Sequence, residues 1–321
     1  MSAVLASMRQ GASAAWPWLA RLLTATIIIV VGIMLFNLGS RLDWTEVFHA
    51  AGEIDNSTLA LSAVLVCVGY AVCASFDLLA RRFAGHSLAG WKVLGIAALS
   101  YAINLNLGVL LGGIGVRLRI YRKLGVRGSA AAKVVLFSTT TNWLGYCWLA
   151  GTLFVLDTAP SPPKWDVGRD ALQLIGCAML IAALGYVGFC SWSGRRNWTW
   201  RGHRVTLPSG WMALAQSALA ILSWSTMGGI VYVLLQGAIP YPEVLTVLLF
   251  SGIAAVIAHI PGGLGVTEAI FAGAFANRLP DHQVLAALLM YRIVYALAPL
   301  CVALPAYLAI EARFRWGARR E

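Results

Sequence analysis

Eight long apolar stretches divide this chain, and ~20 consecutive helical residues are enough to cross a hydrocarbon core. Leu22 to Ser40, Thr58 to Phe76, Val134 to Leu156 and Ala171 to Gly194 carry no charge. The others run from Val93 to Val116, Gly210 to Gln236, Val244 to Asn277 and His282 to Ile310, and the last two contain ionisable residues. Apolar residues (Ala, Val, Ile, Leu, Met, Phe, Trp, Tyr and Cys) make up 60% of the chain and only 12% are charged, where soluble domains have roughly 25% charged residues, so the composition argues against a water-soluble fold.

The first stretch follows Arg9 and Arg21 but is longer than a signal-peptide core and lacks a small-residue cleavage pattern, so it reads as a retained anchor. All six cysteines (Cys67, Cys73, Cys147, Cys177, Cys190, Cys301) fall inside apolar stretches without a C-x-x-C pair. They read as packing residues, and neither a disulfide framework nor a zinc site is expected. The net charge of +11 lies in short loops, where basic side chains set topology and meet anionic headgroups; nucleic acid is not an expected partner.

If every stretch crossed once, loop charges would alternate in sidedness, and they do not. Arg9 and Arg21 belong inside, Asp43, Glu46, Glu53 and Asp55 outside, and Arg81, Arg82 and Lys92 inside. A crossing from Val93 to Val116 would then export the most basic segment, Arg117, Arg119, Arg122, Lys123, Arg127 and Lys133, and invert every later loop. A re-entrant hairpin repairs this. With Val93–Val116 entering from the cytoplasm and turning back, Asp157, Asp166 and Asp170 fall outside and Arg195, Arg196, Arg201 and Arg204 inside. A second hairpin, from Val244 to about Asn277, enters from outside and leaves Arg313, Arg315, Arg319 and Arg320 inside. Nineteen basic side chains then lie inside against four outside, with Arg292 left at membrane depth; nine acidic ones lie outside against three inside, with Glu268 at depth. Both termini are expected in the cytoplasm.

Gly112-Gly113-Ile114-Gly115-Val116 recurs as Gly262-Gly263-Leu264-Gly265-Val266, 150 positions later. The same offset carries Leu22 onto Leu172, Thr58 onto Pro208, Val93 onto Glu243 and Val134 onto Val284, each near the start of an apolar element. The expected fold is therefore an all-α polytopic membrane protein. One membrane domain (1–321) holds two inverted repeats, approximately 20–157 and 170–310, and a basic cytoplasmic tail, 312–321. Each repeat has three transmembrane helices and one glycine-broken re-entrant hairpin. Non-helical backbone at membrane depth must be buried in protein or line a polar cavity. Broken elements at matching places in inverted halves point to a transporter's central site, where half-helix N-termini favour anionic groups.

Glu268 lies three residues past Gly265, in the first turn of the returning half-helix, and could compensate that helix dipole or serve the site. An ion pair with Arg292 would make both charges tolerable and is expected. Arg292 is the 150-offset counterpart of Asn142, inside the polar run Ser138-Thr139-Thr140-Thr141-Asn142. Asn104 and Asn106 lie on the first arm of hairpin one, opposite the basic return arm that begins at Arg117. His259, just before Pro261, could carry a proton or be a satisfied polar residue. Asp77 reads as an ordinary i,i+4 surface partner of Arg81.

The segments Tyr101-Ala102-Ile103-Asn104-Leu105-Asn106 leading to Gly112–Arg117, Thr140-Thr141-Asn142-Trp143-Leu144-Gly145-Tyr146, and His259-Ile260-Pro261-Gly262-Gly263-Leu264-Gly265-Val266-Thr267-Glu268 with Tyr291-Arg292 carry a resemblance. Over almost its whole length the chain resembles the YbhN-like inner-membrane proteins. These lie within the family of the lysylphosphatidylglycerol synthase transmembrane region, the flippase part of the multiple peptide resistance factor. The resemblance implies a bacterial inner membrane and a role in lipid handling. The soluble aminoacyl-transferase domain of that family would follow the spans, yet the sequence ends ten residues after Glu311, so lysylphosphatidylglycerol synthesis is not expected.

No Walker-type phosphate loop, G-x-S-x-G or H-E-x-x-H occurs, which argues against direct ATP drive and against a lipid-modifying enzyme, and no cofactor is expected. The expected function is translocation of a phospholipid or modified phospholipid, its anionic headgroup held by Asn104, Asn106, Gly112, Gly113, Gly115, Arg117, Asn142, His259, Pro261, Gly262, Gly263, Gly265, Glu268 and Arg292. A secondary transporter of a small anion and a non-catalytic partner of phospholipid-synthesising enzymes are the alternatives. The sequence leaves a homo-oligomer open.

Overall fold

The computed structural model describes residues 44–158, 168–194, 197–200, 203–258 and 260–317. The first apolar stretch and most of the Asp166 loop lie outside these residues, as does His259. In chain order the elements are α1 (Trp44–Gly52), α2 (Asn56–Ala84), α3 (Gly90–Leu107), a π-helical segment (Val109–Val116), α4 (Arg117–Lys123), α5 (Gly128–Val155) and α6 (Arg169–Trp192). A two-stranded antiparallel sheet, β1 (Asn197–Trp200) and β2 (His203–Thr206), precedes α7 (Gly210–Leu234) and α8 (Tyr241–Ala258). There follow a 3₁₀ turn (Pro261–Gly263), α9 (Val266–Phe275), α10 (Asp281–Tyr291), a second π-helical segment (Arg292–Leu297) and α11 (Ala298–Gly317). The protein is a predominantly helical, multi-pass membrane protein: five of the described helices are long and apolar enough to cross a bilayer, the last being the continuous run Asp281–Arg313.

Two departures from the sequence reading are small. The acidic segment after the first stretch contains α1, whose Val47 packs on Leu285 and Ala286 of α10. The basic loop before α7 folds into the β1–β2 hairpin, with Trp198 paired to Val205 in register.

The centre of the molecule is the mutual packing of α2, α5 and α7, with α6 laid along α5 and α7. Small residues permit these approaches, since helices in lipid associate through close packing and hydrogen bonds more than through hydrophobic burial. A Cβ at Gly145 of α5 would stand 2.5 Å from the Cβ of Ala220 on α7. One at Gly176 of α6 would stand 2.8 Å from the Gly151 carbonyl oxygen of α5. Polar groups are consumed at the same contacts. Fully buried Gln216 of α7 donates to Thr141 Oγ1 (2.8 Å) on α5 and accepts from the Tyr186 hydroxyl (2.9 Å) on α6.

The helix ends follow local chemistry. Gly85 stops α2 in the left-handed region and donates its N–H to the Arg81 carbonyl, while Ser209 Oγ caps α7 by accepting from Met212 N at 3.2 Å. The segment Gly90–Val116 starts and finishes against the same end of α2. A Cβ at Gly90 would stand 3.4 Å from the Arg81 guanidinium, and Arg117, just past the π segment, reaches Asp77. The two arms of the second broken element are likewise joined at one end by a Glu243–Arg278 ion pair (2.6 Å).

Candidate functional site at the glycine breaks

The first break begins at Gly108, which ends α3 at φ +82° and donates its N–H to the Asn104 carbonyl. Gly112, Gly113 and Gly115 lie in the π-helical segment that follows. The returning chain presses on the arm it left: a Cβ at Gly113 would stand 3.0 Å from Asn104 Oδ1. That Oδ1 is buried without a hydrogen-bond partner. Asn106 Nδ2 donates to the Ala102 carbonyl (2.9 Å) and across to the Ala296 carbonyl (3.0 Å) in the second π segment. A wide π turn departs from the regular i→i+4 ladder, and Asn106 supplies a donor there.

At the second break, Pro261 opens the 3₁₀ turn and Gly262, Gly263 and Gly265 all take positive φ, at 64°, 61° and 78°. Gly262 is required twice over, because a Cβ there would also meet the Leu105 carbonyl oxygen of α3 at 2.8 Å. The two tips therefore meet, backbone on backbone. Beside that contact stands the expected ion pair. Arg292 Nε donates to Glu268 Oε1 (2.5 Å) and Nη2 to Oε2 (3.1 Å), while Nη1 and Nη2 also hold the carbonyls of Gly262 (2.9 Å) and Gly263 (3.0 Å). Glu268 Oε2 in turn accepts from Gly265 N (2.8 Å), so it both pairs with Arg292 and caps α9. The Arg292 and Glu268 side chains keep 18% and 13% of their surface exposed, so the pair remains reachable from outside the protein.

Asp77 is corrected by the structure. Far from the surface, it is fully buried between α2, α4 and α5, accepting from Tyr121 OH (3.0 Å) and Ser138 Oγ (2.6 Å) and facing Arg117 Nη1 at 3.3 Å. Arg117 is thus committed to a carboxylate toward the C-terminal end of α2, and its Nε is buried without a partner. His86, in the α2–α3 connection, sets its ring against Tyr121, and neither of its ring nitrogens has a hydrogen-bond partner. The remaining basic arm is also engaged: Arg119 and Lys123 converge on Glu311 of α11 at 2.5 and 2.6 Å.

Asn142 stands apart, on α5, where its carbonyl accepts from Trp224 Nε1 at 3.2 Å. The polar run around it serves packing, with Ser138 on Asp77 and Thr141 on Gln216. A tyrosine cluster that sequence reasoning missed joins the halves. Tyr101 and Tyr295 hydroxyls lie 2.7 Å apart, Tyr70 OH donates to the Tyr295 carbonyl (3.1 Å), and Tyr291 stacks on Tyr295. The only sequence signal was aromatic residues bearing hydroxyls within apolar stretches, which is where such groups need partners.

Chemically, both arginines near the breaks are neutralised by carboxylates, and the amide at the start of α9 is occupied by Glu268. Among the described residues no group of three or more His, Cys, Asp or Glu side chains is placed to hold a metal ion.

Comparison with known proteins places residues 18–303 within the model of the lysylphosphatidylglycerol synthase transmembrane region. The inner membrane protein YbhN of Escherichia coli is 38% identical over 299 residues, covering 93% of this chain and 94% of that protein. An uncharacterised protein of Synechocystis is 29% identical over 268 residues, 80% of each chain.

Proposed function

The chain belongs to the family of the lysylphosphatidylglycerol synthase transmembrane region, and from that premise we propose that it is a lipid translocase of a bacterial inner membrane. It moves a phospholipid or modified phospholipid between leaflets, with the phosphate of the headgroup handled between two glycine-broken re-entrant hairpins. The observation that carries this reading is the meeting of the two tips at a partly exposed, buried-end ion pair, Glu268–Arg292. Charges at membrane depth are costly and usually border a substrate pathway.

Further support comes from how the arms lie. Each broken element begins and ends at one end of the bundle, marked by Arg81–Gly90 and Arg117–Asp77 for the first and Glu243–Arg278 for the second. Gly113 presses on Asn104 and its 150-offset counterpart Gly263 on Ala255, 3.0 Å from a would-be Cβ in both cases, as inverted repeats would have it. The halves rock about the tips and pass the headgroup while the acyl chains stay in lipid. No nucleotide is consumed.

Reconstitution into liposomes with fluorescent phospholipids tests this. Headgroup-dependent flipping above the rate of empty liposomes is expected, and its loss in Glu268→Ala and in Arg292→Ala. Rates equal to empty liposomes for every headgroup overturn the reading, and full activity in both single variants removes the pair from it.

A further inference from the structure

We propose that the headgroup recognised at the glycine tips is a zwitterion bearing a phosphate and a primary ammonium, and that Glu268 occupies the phosphate's place until it arrives. This rests on the translocase reading and adds the chemistry of its substrate.

The donor geometry around Glu268 is the starting point. Arg292 is fixed by the carbonyls of Gly262 and Gly263, and its other two bonds, from Nε and Nη2, converge with Gly265 N–H on one carboxylate. A planar guanidinium fork beside a helix N-terminus fits phosphate oxygens as well as it fits a carboxylate. Glu268 is therefore a tethered anion in an anion site. Its side chain is 13% exposed, so an incoming phosphate can reach the same donors.

Charge balance then selects the headgroup. A purely anionic headgroup that displaced Glu268 would leave that carboxylate unpaired at membrane depth, an unfavourable outcome for a buried charge. A zwitterion brings its own remedy: phosphate goes to Arg292 and Gly265 N–H, ammonium to the released Glu268, and the site's net charge does not change. A primary ammonium has three N–H donors, and one buried acceptor in the first break has no hydrogen-bond partner. That acceptor is Asn104 Oδ1, one residue from Leu105, whose carbonyl oxygen abuts Gly262. A quaternary ammonium has no N–H to give it. The same chemistry could be presented by a phosphatidylethanolamine-type lipid or by a water-soluble phosphodiester.

The test uses the full chain purified in detergent and equilibrated with equal amounts of phosphatidylethanolamine, phosphatidylcholine and phosphatidylglycerol of matched acyl chains, the retained lipid being counted by mass spectrometry. Wild type is expected to enrich phosphatidylethanolamine over both others by about tenfold, the discrimination that one charge-assisted hydrogen bond supports. Glu268→Gln leaves Arg292 without its anion and is expected to invert the order toward phosphatidylglycerol; Asn104→Ala is expected to erase the preference over phosphatidylcholine alone. Should Glu268→Gln fail to fold, Asn104→Ala, which breaks no ion pair, carries the test. Displacement of the bound lipid by excess glycerophosphoethanolamine supports headgroup recognition and admits soluble phosphodiesters as ligands, whereas lipid that stays bound assigns the same chemistry to the bilayer alone. Equal retention of the three lipids by wild type, or an order that neither substitution changes, overturns the proposal. Selective retention with flipping no faster than in empty liposomes would leave the proposal standing and remove the translocase reading; flipping without selectivity would do the reverse.

Discussion

At the scale of single residues, the buried Asp77 centre makes the sharpest demands. Asp77 is fully buried with three donors around it, and removing a carboxylate from such a site leaves Arg117 uncompensated. Asp77→Ala is expected to cost about 3–5 kcal/mol, the range for breaking one partner of a buried pair, read as a lowered thermal midpoint in detergent. A midpoint within a degree or so of wild type, for a loss expected to move it by several, contradicts this. Nearby, burial and then the Arg81 charge hold the His86 imidazole below its ordinary 6.5. The folded ring resists a proton that the unfolded chain accepts, so stability is expected to fall as pH drops below about 6.5. His86→Gln, which stays neutral, should flatten that slope across thermal scans at several pH values; an unchanged slope places its cause elsewhere. The sequence showed Arg292 and Glu268 as partners because two opposite charges in apolar stretches need each other. It hid the Asp77 centre, because Arg81, four residues on, offered a nearer partner. The true partners come from α4 and α5, and only tertiary packing brings them there.

At the scale of elements, the spans were legible because a bilayer demands length and apolarity, and the breaks were legible because their glycines are clustered and repeated. The π-helical segments were not. Apart from the charge of Arg292, nothing in Arg292–Leu297 marks a change of helix type, and the donor that serves it, Asn106, lies 190 positions before its acceptor Ala296. The β1–β2 hairpin was missed because Arg and Gly in its loop read as a topology signal first. Crossing geometry is open to test through the glycines. At Gly145 a methyl group would meet the backbone of Ala220 at 2.6 Å, and backbone cannot rotate away. Gly145→Ala is expected to prise α5 from α7 at a cost of about 1–3 kcal/mol. Gly185→Ala on α6 adds its methyl where nothing lies within 4 Å and should be neutral or, through better helix propensity, slightly stabilising. Thermal midpoints that move equally for the two substitutions would show that propensity, and not the α5–α7 approach, governs the response.

At the scale of the whole molecule, sidedness is the property on which the mechanism turns. The distribution of Lys and Arg is the ground for expecting Val93–Val116 to turn back, and in the structure Gly90 and Arg117 lie against neighbouring turns of α2. If the element is re-entrant, Ser87 before α3 and Gly125 after α4 face the same compartment; if it crosses, they face opposite ones. The same logic holds for Gln236 and Asn277, which flank the second broken element. Single cysteines at these four positions, probed in inverted and right-side-out vesicles with a membrane-impermeant maleimide, discriminate between the two. The six native cysteines lie in apolar stretches and are expected to contribute little background. Ser87→Cys and Gly125→Cys are expected to label from the cytoplasmic side, and Gln236→Cys and Asn277→Cys from the opposite one, as the positive-inside rule requires. Opposite labelling within either pair would convert that hairpin into a crossing. The two tips could then no longer belong to elements that enter from opposite faces, and a central site shared by inverted halves would lose its geometric basis.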